Sequence, residues 1–549
     1  MIAALSFRAG MLTYAARHWL PLDRHAANPS RTQQDVLQAI LRANRATQFG
    51  EEHGFGDIRS VEQFRRQVPV QDYDKLRPYV ERQRLTGARA LTDESPLFYA
   101  QTSGSTGTPK YIPIPPSALR MHRTEQALFT YLQYRACPEA FAGKAFGIMG
   151  AAVEGRLDSG HHVGSVSGYL YESLPATVRS RFVLPPEISC IGDYELKYLV
   201  MLRLALAYPD ITYMGSPNPS TFLRLLEILN QRRDTLAHSL ESGAFPEMEA
   251  LDDRTRWIVE RLIRPDRHRA RELRADRPLS FAALWPGIRL VTTWTGGSCG
   301  IALDKLRRLL PRDTRVMELG YQSTECRGTI AIEAETPGGL PPLHHYFFEF
   351  VEQDDWDSAT PEFIGLEALV PGRHYQIVIT TTAGLYRYFM NDLVEVTGHY
   401  RNTPLLRFVQ KGRGVTSLTG EKLYEGQVIH AVQGAARTFG LAAAFFLLVA
   451  DETGSSYSLF FENDIPSLAP APDIAAAIDE RLSDLNIEYR SKRASGRLPA
   501  LTMTWLKPGA GEAYKAACVR AGQREGQFKP VALQYRSRLA FDFEAYAAG

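Results

Sequence analysis

Apolar residues recur at helical spacing through the first ninety or so positions of the chain. In the stretch TQQDVLQAILRAN at 32–44, Val36, Ile40 and Leu41 fall on one side of a helix and polar residues fill most other positions. Such a stripe is typical of a helix that packs one face against a core. The N-terminal region is therefore predicted to be helical.

After this region, short apolar runs alternate with longer helical ones. KAFGIMGAAV (144–153) and IRLVTTWTGGSCG (288–300) have the character of buried strands that end in loops. Between them lie the helical patterns YELKYLVMLRLALAY (194–208) and NPSTFLRLLEILNQRR (218–233). This alternation predicts an α/β architecture with parallel strands.

Two later segments are dense in aromatic and β-branched residues, which favours antiparallel sheet. They are HHYFFEFVEQ (344–353) and HYQIVITTTAGLYRYF (374–389). The composition then shifts near residue 420, beyond which strand and helix patterns fit a small α+β unit. These patterns are the strands at 442–452, 457–463 and 500–508 and the helix at 473–486. We predict one large domain over residues 1–418 and a second over 419–549.

Composition narrows the class of protein. A chain of 549 residues with a net charge of +2 gives no sign of a nucleic-acid partner or an anionic membrane surface. The five cysteines are scattered without a CxxC pair, which argues against zinc and disulfides and favours a reducing compartment. The apolar N-terminus is interrupted by Arg8 and Arg17, so an amphipathic helix is favoured over a signal peptide. A cytoplasmic enzyme without membrane association is expected.

The stretch QTSGSTGTPKY at 101–111 is the first candidate for chemistry. It is not a P-loop, because Pro109 stands where the second glycine belongs and Tyr111 follows the lysine. Its small residues would still let backbone amides approach an anion, with Lys110 adding a positive charge. The alternative is a polar surface turn, which uses the same residue types.

Three further stretches bear on that choice. TTWTGGSCG at 292–300 is a strand running into a glycine pair, against which a flat ligand can pack. ELGYQSTECRG at 318–328 brings a ring, two hydroxyls and the carboxylate of Glu325 together; an extended chain would point Thr324 away from the others, unless the chain turns there. In TTTAGLYRYFMNDLVEV at 380–396, Asp392 can accept ribose hydroxyls or cap a turn.

TSGSTGTPK, GGS, YxSTE and Asp392, in this order, resemble the adenylate-forming superfamily of acyl and aryl ligases. Within it the chain is similar to the Gretchen Hagen family of acyl acid amido synthetases, known from auxin-responsive plant enzymes and bacterial relatives. Finer similarities are VGSVSGYLY (163–171), YFFEF (346–350), VITTTAGLYRY (378–388) and GQFKP (526–530). The similarity runs from about residue 47 to Lys529.

The resemblance implies a fold and a domain arrangement. The N-terminal adenylate-forming domain would hold ATP and the acyl acid on parallel sheets and a β-barrel-like part. The C-terminal α+β domain would be a small mobile lid.

The resemblance also implies how ATP is held. Its phosphates would lie against Ser103, Ser105, Thr106, Lys110 and Lys422. Adenine would lie against the glycine pair Gly296 and Gly297 with Ser298, with Tyr321 stacked on it, and Asp392 would bind the ribose.

Three residues carry the implied catalysis. Thr324 would contact the α-phosphate, Glu325 would hold magnesium, and Lys529 would swing in with the C-terminal domain for adenylation. Attack of a carboxylate on the α-phosphate builds negative charge, which a metal ion and lysines stabilise. The adenylate is itself the activated species, so Cys326 needs no catalytic role.

The leading hypothesis is a ligase that uses ATP and magnesium to adenylate a small carboxylic acid and passes the acyl group to an amino acid. The alternatives are the same adenylate with a thiol acceptor, giving an acyl-CoA, and a non-catalytic nucleotide-binding relative. A monomer is expected.

Two details complete these expectations. Asn391 stands before Asp392, where the plant enzymes carry glycine. The pair His344 and His345 lacks metal-ligand spacing and is expected on opposite faces of a strand.

Overall fold

The computed structural model describes residues 2–102, 110–296, 299–356, 358, 360–411, 414–416, 418, 421, 423–451, 453–464, 469–494, 498–521, 528 and 530–548. Its first part is helical, as predicted. The helices are α1 (Ile2–Tyr14), α2 (Leu20–Ala26), α3 (Pro29–Asn44), α4 (Gln48–Glu52), α5 (Val61–Gln67) and α6 (Tyr73–Thr86). None of the helices in the described part of the chain combines the length and apolar character needed to cross a lipid bilayer.

In the described residues between 98 and 318, strands and α-helices follow one another. The strands are β1 (Phe98–Thr102), β2 (Lys110–Ile114), β3 (Lys144–Gly147), β4 (Gly155–Arg156), β5 (His162–Gly164), β6 (Ile211–Gly215), β7 (Leu290–Thr293) and β8 (Arg315–Glu318). The helices are α7 (Pro116–Ala136), α8 (Val166–Glu172), α9 (Ala176–Arg179), α10 (Tyr194–Leu206), α11 (Ser220–Gln231), α12 (Arg233–Ser242), α13 (Asp253–Leu262), α14 (Arg267–Arg274), α15 (Phe281–Leu284) and α16 (Cys299–Leu309).

The strands of this region form two sheets. One has the order β3-β6-β7-β8 with all neighbours parallel, and the other has the order β2-β1-β5-β4. Strand β7 is buried at every position, as expected for a parallel strand covered by helices on both faces. The predicted α/β class with parallel strands is confirmed.

The two aromatic segments belong to an antiparallel sheet of four strands, in the part expected to be barrel-like. Its order is β12-β11-β10-β9. The strands are β9 (Phe347–Glu352), β10 (His374–Thr380), β11 (Tyr388–Tyr400) and β12 (Thr403–Lys411).

The separate C-terminal unit is built around a mixed sheet of order β17-β16-β15-β18, with an antiparallel centre and parallel edges. Its elements begin with the short strands β13 (Val415–Thr416) and β14 (Leu423–Tyr424) and helix α17 (Glu425–Phe439). They continue with β15 (Ala443–Asp451), β16 (Ser456–Asn463), α18 (Ala471–Leu485), α19 (Ile487–Ala494), β17 (Thr502–Trp505), α20 (Ala510–Arg520) and β18 (Leu533–Tyr535). The division between residues 418 and 419, and the mobility of this unit, stay predictions.

Buried polar contacts join the first helices to the antiparallel sheet. The amide of Gln33, which is buried in α3, donates to the carbonyls of Leu343 at 2.6 Å and Tyr346 at 2.8 Å. Its oxygen accepts from the N–H of Phe348 at 2.7 Å. Every hydrogen-bonding group of this side chain that faces the sheet is thus paired, as burial requires.

A buried ion cluster makes a second connection between the same regions. Glu349 in β9 accepts from Arg65 of α5 and from Arg387, each at 2.9 Å. Arg387 also donates to the carbonyls of Arg65 at 3.0 Å and Val68 at 2.9 Å. Glu349 and Arg387 are nearly inaccessible to water, so each charge is stabilised by its partner instead of by solvent.

Candidate active site

A cavity of 1790 Å³ lies at the carboxyl ends of the parallel strands. The last residues of β3 and β6, Gly147 and Gly215, line it, and so does Glu318 at the end of β8. Trp294, directly after β7, lines it as well. Loops at this edge of a parallel sheet are where α/β proteins bind ligands, since the helices leave a crevice there.

Five of the predicted site residues belong to the described part of the chain, and all five line this cavity. They are Lys110, Tyr321, Thr324, Glu325 and Asp392. The other seven lie outside the described residues, and their roles stay predictions. They are Ser103, Ser105, Thr106, Gly297, Ser298, Lys422 and Lys529.

The YQSTE segment turns rather than extends. The N–H of Ser323 donates to the carbonyl of Cys326 at 2.9 Å, and the Ser323 hydroxyl accepts from the N–H groups of Glu325 and Cys326, both at 3.2 Å. This turn replaces the strand alternation that would have sent Thr324 to the opposite side. Both Thr324 and Glu325 therefore reach the cavity wall.

Tyr321 and Asp392 are joined directly. The phenol donates to Oδ2 of Asp392 at 2.6 Å, and the Tyr321 ring lies parallel to that of Phe408 at 5.6 Å. Burial, together with the negative charge of Asp392, raises the pKa of Tyr321 well above its usual range. The phenol therefore stays protonated and keeps its role as donor, which fixes the carboxylate in the cavity wall.

The backbone before Asp392 has a left-handed conformation. Asn391 has φ 51°, a value that few residues other than glycine and asparagine adopt without strain. Asparagine can therefore stand where the plant enzymes carry glycine, because both residue types adopt this backbone conformation. With this conformation in the strand, the side chain of the buried Asp392 points toward Tyr321.

Lys110 begins strand β2, beside residues that the sequence analysis did not select. Its ammonium group lies 3.4 Å from the hydroxyl of Tyr388 and 5.6 Å from the ring centre of Tyr73. Strand β2 pairs with β1 so that Thr102 lies opposite Lys110. The glycine-rich stretch therefore lies in sequence between two paired strands, and Lys110 at the start of the second one lines the cavity.

Glu318 is a site residue that sequence reasoning missed. Its carboxylate accepts from the N–H of Thr295 at 2.7 Å, from the Thr295 hydroxyl, and from the N–H of Gly320 at 3.2 Å. It thus holds together the chain segments that follow β7 and β8, immediately before Gly296 and Tyr321. Its position as the last residue of a buried strand was the available signal.

A buried cluster of histidines around Glu125 was also missed. Glu125 of α7 accepts from His345 at 3.0 Å and faces Nδ1 of His122 at 3.3 Å. Although burial alone would raise it, hydrogen bonding to the two histidines lowers the pKa of Glu125 to about 2. His122 and Glu125 lie in the cavity wall. The single carboxylate of α7 lies on the buried face of that helix, which hints at a partner but does not indicate the histidine of the distant turn.

The expectation that His344 and His345 occupy opposite faces of a strand is wrong. They lie in a turn before β9, with ring centres 4.0 Å apart. Pro341 and Pro342 precede them, and proline cannot donate to a strand ladder. The turn closes through N–H donation from Leu343 to Pro341 at 2.8 Å and from His345 to Pro342 at 2.9 Å.

The histidine cluster around Glu125 is expected to make the folded protein less stable in mild acid. Burial, together with His345 and His25, lowers the pKa of His344 well below its usual 6.5, and Glu125 opposes the shift only in part. The folded protein therefore excludes a proton that the unfolded chain accepts below about pH 6.5. The free energy of unfolding is expected to be flat above pH 7.5 and to fall below 6.5 by up to about 1.4 kcal/mol per pH unit.

Urea unfolding between pH 8 and 5.5 measures this effect. The variant His344→Phe keeps an aromatic ring beside His25 but cannot titrate, so its curve is expected to be flatter than that of the wild type. Identical slopes for the two proteins would show that His344 does not cause the acid sensitivity.

Cys326 does not have the properties of a nucleophile. It is buried, and burial raises the pKa of its thiol well above the usual range. Reactive cysteines need a lowered pKa and access to substrate.

Solved structures establish the class of fold. The structure of the AtGH3.15 acyl acid amido synthetase in complex with 2,4-DB superposes with a TM-score of 0.86 at 20% identity, over 97% of this chain and 96% of that one. A 2-hydroxyisobutyryl-CoA ligase in the postadenylation state gives a TM-score of 0.51 at 13% identity, over 95% and 92% of the two chains. The fold is that of the adenylate-forming enzymes.

Family models narrow the assignment. The GH3 family N-terminal domain matches residues 21–315, the central domain 340–411 and the C-terminal domain 426–537. The indole-3-acetic acid-amido synthetase GH3.8 of Oryza sativa subsp. indica is 24% identical over 542 residues, which is 92% of this chain and 89% of the relative. This chain belongs to the GH3 family.

Proposed function

We propose that the protein uses ATP to adenylate a small carboxylic acid and then transfers the acyl group to the amine of an amino acid, forming an amide. The observation that carries this proposal is the meeting of Lys110, Tyr321, Thr324, Glu325 and Asp392 in one cavity at the carboxyl ends of the parallel strands. The names of the relatives support the same reaction, since one is an indole-3-acetic acid-amido synthetase and one an acyl acid amido synthetase.

The nucleoside would be held by the Tyr321 and Asp392 pair. The Asp392 carboxylate can accept both ribose hydroxyls, and its hydrogen bond from Tyr321 fixes its orientation before ATP arrives. The Tyr321 ring, held parallel to Phe408, offers a flat face to adenine. Gly296 also lines the cavity, and a Cβ atom there would lie 3.4 Å from the carbonyl oxygen of Phe408.

In the first step a carboxylate oxygen of the acid attacks the α-phosphorus of ATP. The bond from that phosphorus to the bridging oxygen breaks, and pyrophosphate leaves with the electron pair. Negative charge grows on the phosphate oxygens, so the ammonium of Lys110 and the hydroxyl of Thr324 would stabilise it from the cavity wall. Lys529 would add a second ammonium group.

Magnesium is a metal ion that the carboxylate of Glu325 can help to bind. In the described part of the chain, no group of three or more His, Cys, Asp or Glu side chains is arranged to hold a metal ion. Magnesium bound to nucleotide phosphates needs only one or two protein carboxylates and keeps several waters, and Glu325 in the cavity wall can provide one. When bound, the ion neutralises phosphate charge.

In the second step the amine nitrogen attacks the acyl carbonyl carbon of the adenylate. The carbon–oxygen bond to the phosphate breaks, AMP leaves, and the nitrogen loses a proton. No bond to an enzyme side chain forms, in keeping with the buried Cys326 thiol. A cavity shielded from water protects the adenylate from hydrolysis.

The proposed setting is the cytoplasm, and the proposed state is a monomer. The five cysteines all lie in the described part of the chain, and no disulfide joins any of them there, as suits a reducing compartment.

The variant Glu325→Gln is expected to raise the magnesium concentration needed for half-maximal adenylation by about ten-fold or more. The amide keeps the size of the side chain but removes the charge that attracts the ion. Pyrophosphate release measured across a magnesium titration gives the result. Glu333→Gln is the matched control, because Glu333 is exposed and does not line the cavity. A wild-type titration curve for Glu325→Gln would remove this residue from the metal site.

Pyrophosphate release tests the whole reaction. The protein is incubated with ATP, magnesium and a panel of aryl, indole and fatty acids, with mixed amino acids or with coenzyme A. Release that requires an acid and is accelerated by an amino acid is the expected result. Acceleration by coenzyme A alone would favour a thiol ligase, and no release across the panel would favour a non-catalytic protein.

A further inference from the structure

Phe528, the residue before Lys529, is hydrogen-bonded to the N-terminal part of the molecule. The side-chain amide of Asn218 donates to the carbonyl oxygen of Phe528 at 2.9 Å, across 310 positions of sequence. Phe528 is buried, and its ring lies 6.2 Å from that of Tyr514 in α20. Pro530, on the other side of Lys529 in sequence, lines the cavity.

The Asn218 side chain is held in a single orientation. Its oxygen accepts from the N–H of Ser220 at 2.9 Å, which leaves the nitrogen directed at Phe528. The side chain is 5% exposed, so water offers little competition for the bond. The bond to Ser220 therefore fixes the orientation of the amide, with its oxygen toward Ser220 and its nitrogen toward Phe528.

The loop that carries Asn218 is itself anchored to the parallel sheet. The carbonyl of Pro217 accepts from the N–H of Trp294 at 2.9 Å and from the hydroxyl of Thr293 at 3.2 Å. The hydroxyl of Ser216 donates to the carbonyl of Asn218 at 3.3 Å. The amide donor therefore belongs to a loop that is hydrogen-bonded to the parallel sheet and whose residues Ser216 and Pro217 line the cavity.

A second anchor holds the same segment to the C-terminal unit. The N–H of Ala532 donates to Glu425 at 2.5 Å, and its carbonyl accepts from the N–H of Leu448 at 2.9 Å. Strand β18, which begins at Leu533, then pairs with β15. Phe528 and Ala532, which flank Lys529 in sequence, thus both pack in the C-terminal unit, and the carbonyl of Phe528 also accepts from Asn218 of the N-terminal part.

We propose that Asn218 is a positioning residue that, through the carbonyl of Phe528, holds the C-terminal unit in place for adenylation. This inference rests on the proposed function. The anchor at Ala532 moves with the C-terminal unit, so a rotation of that unit between the two half-reactions leaves it intact. The same rotation breaks the Asn218 bond. Lys305 and Asp464 also pair between the two units, but both are partly exposed and such pairs contribute little.

The bond therefore favours the first half-reaction and is absent in the second. Losing it reduces the share of molecules in which the C-terminal unit is correctly placed before ATP and the acid react. Attack of an amine on a finished adenylate does not need the bond. A purely structural asparagine would affect both half-reactions alike or neither.

The test uses the full-length protein with Asn218→Asp and Asn218→Ala. Aspartate keeps the acceptor for Ser220 but replaces the donor with a charge that repels the Phe528 carbonyl. ATP–pyrophosphate exchange is expected to fall by about ten-fold or more in Asn218→Asp, and by about three- to ten-fold in Asn218→Ala. Amide formation from a synthetic acyl adenylate is expected to match the wild type, as is the affinity for ATP.

Asn230→Ala is the matched control. Asn230 lies in helix α11, and its side-chain nitrogen donates to the carbonyl of Leu226 one turn earlier at 2.8 Å. This variant is expected to leave both half-reactions unchanged.

Wild-type exchange in Asn218→Asp, or an equal loss in both half-reactions, would overturn the positioning role. Melting temperatures of the variants show whether an equal loss comes from misfolding, and Asn218→Ala gives a second reading if aspartate does not fold. Failure of the wild type to exchange pyrophosphate with any acid would instead overturn the proposed function, and this inference with it.

Discussion

Alanine in place of Lys529 is expected to slow acyl-adenylate formation by about 10²–10³-fold while ATP binds with nearly unchanged affinity. The lysine would act on charge that appears only as the carboxylate attacks phosphorus. Its absence therefore affects the transition state rather than the ground state. The neighbours on either side of it support this placement, because Phe528 is bonded to Asn218 and Pro530 lines the cavity.

The measurement is pre-steady-state formation of the adenylate, with nucleotide affinity measured by calorimetry. Lys507→Ala is the control, since Lys507 is an exposed lysine of the same C-terminal unit that does not line the cavity. Unaltered turnover in Lys529→Ala would remove this residue from the mechanism. A loss of ATP affinity equal to the loss of rate would make it a binding residue instead.

Replacing Glu349 by glutamine is expected to lower the free energy of unfolding by about 3–5 kcal/mol. The change preserves the size of the side chain but leaves the buried guanidinium of Arg387 without a countercharge. It also replaces one of the two oxygens that accept from Arg65 and Arg387 by an NH2 donor, so the connection between α5 and the antiparallel sheet weakens.

Glu352→Gln is the matched control, three residues along the same strand. Glu352 pairs with Arg373 at 2.8 Å, and both side chains are exposed, so this change is expected to cost less than about 1 kcal/mol. Guanidinium chloride unfolding of both variants gives the comparison. Equal losses of unfolding free energy in the two variants would show that burial does not determine how much the Glu349 cluster stabilises the fold.

Most regular elements were predictable because their apolar residues repeat with the period of a helix or a strand. The patterns at 144–153 and 288–300 contain β3 and β7, and the pattern at 473–486 matches α18 as far as residue 485, where the helix ends. Strands β11 and β12 were harder to predict from the sequence. Asn391, Asp392 and Gly398 disfavour a strand by local preference, yet β11 runs through all three because its neighbours supply a partner on each side.

The site was predictable in its chemistry but not in its contacts. The residue types in YQSTE and at Asp392 indicated nucleotide binding, but nothing local shows that Tyr321 donates to a carboxylate 71 positions away. The turn at Ser323 depends on hydrogen bonds that only the folded loop makes. The histidine cluster combines α7 with the turn before β9, so neither segment alone reveals it.

The pairing of Gln33 with the turn before β9 has a consequence for how the protein is made. The two partners are 313 residues apart. At roughly 5–20 residues per second, a ribosome needs about 15–60 s to reach the second after making the first. Throughout that time the apolar face of α3 has no sheet to cover it. Nascent chains that end before residue 347 are therefore expected to stay protease-sensitive and to bind chaperones, whereas chains that extend beyond residue 411 can bury their first helices.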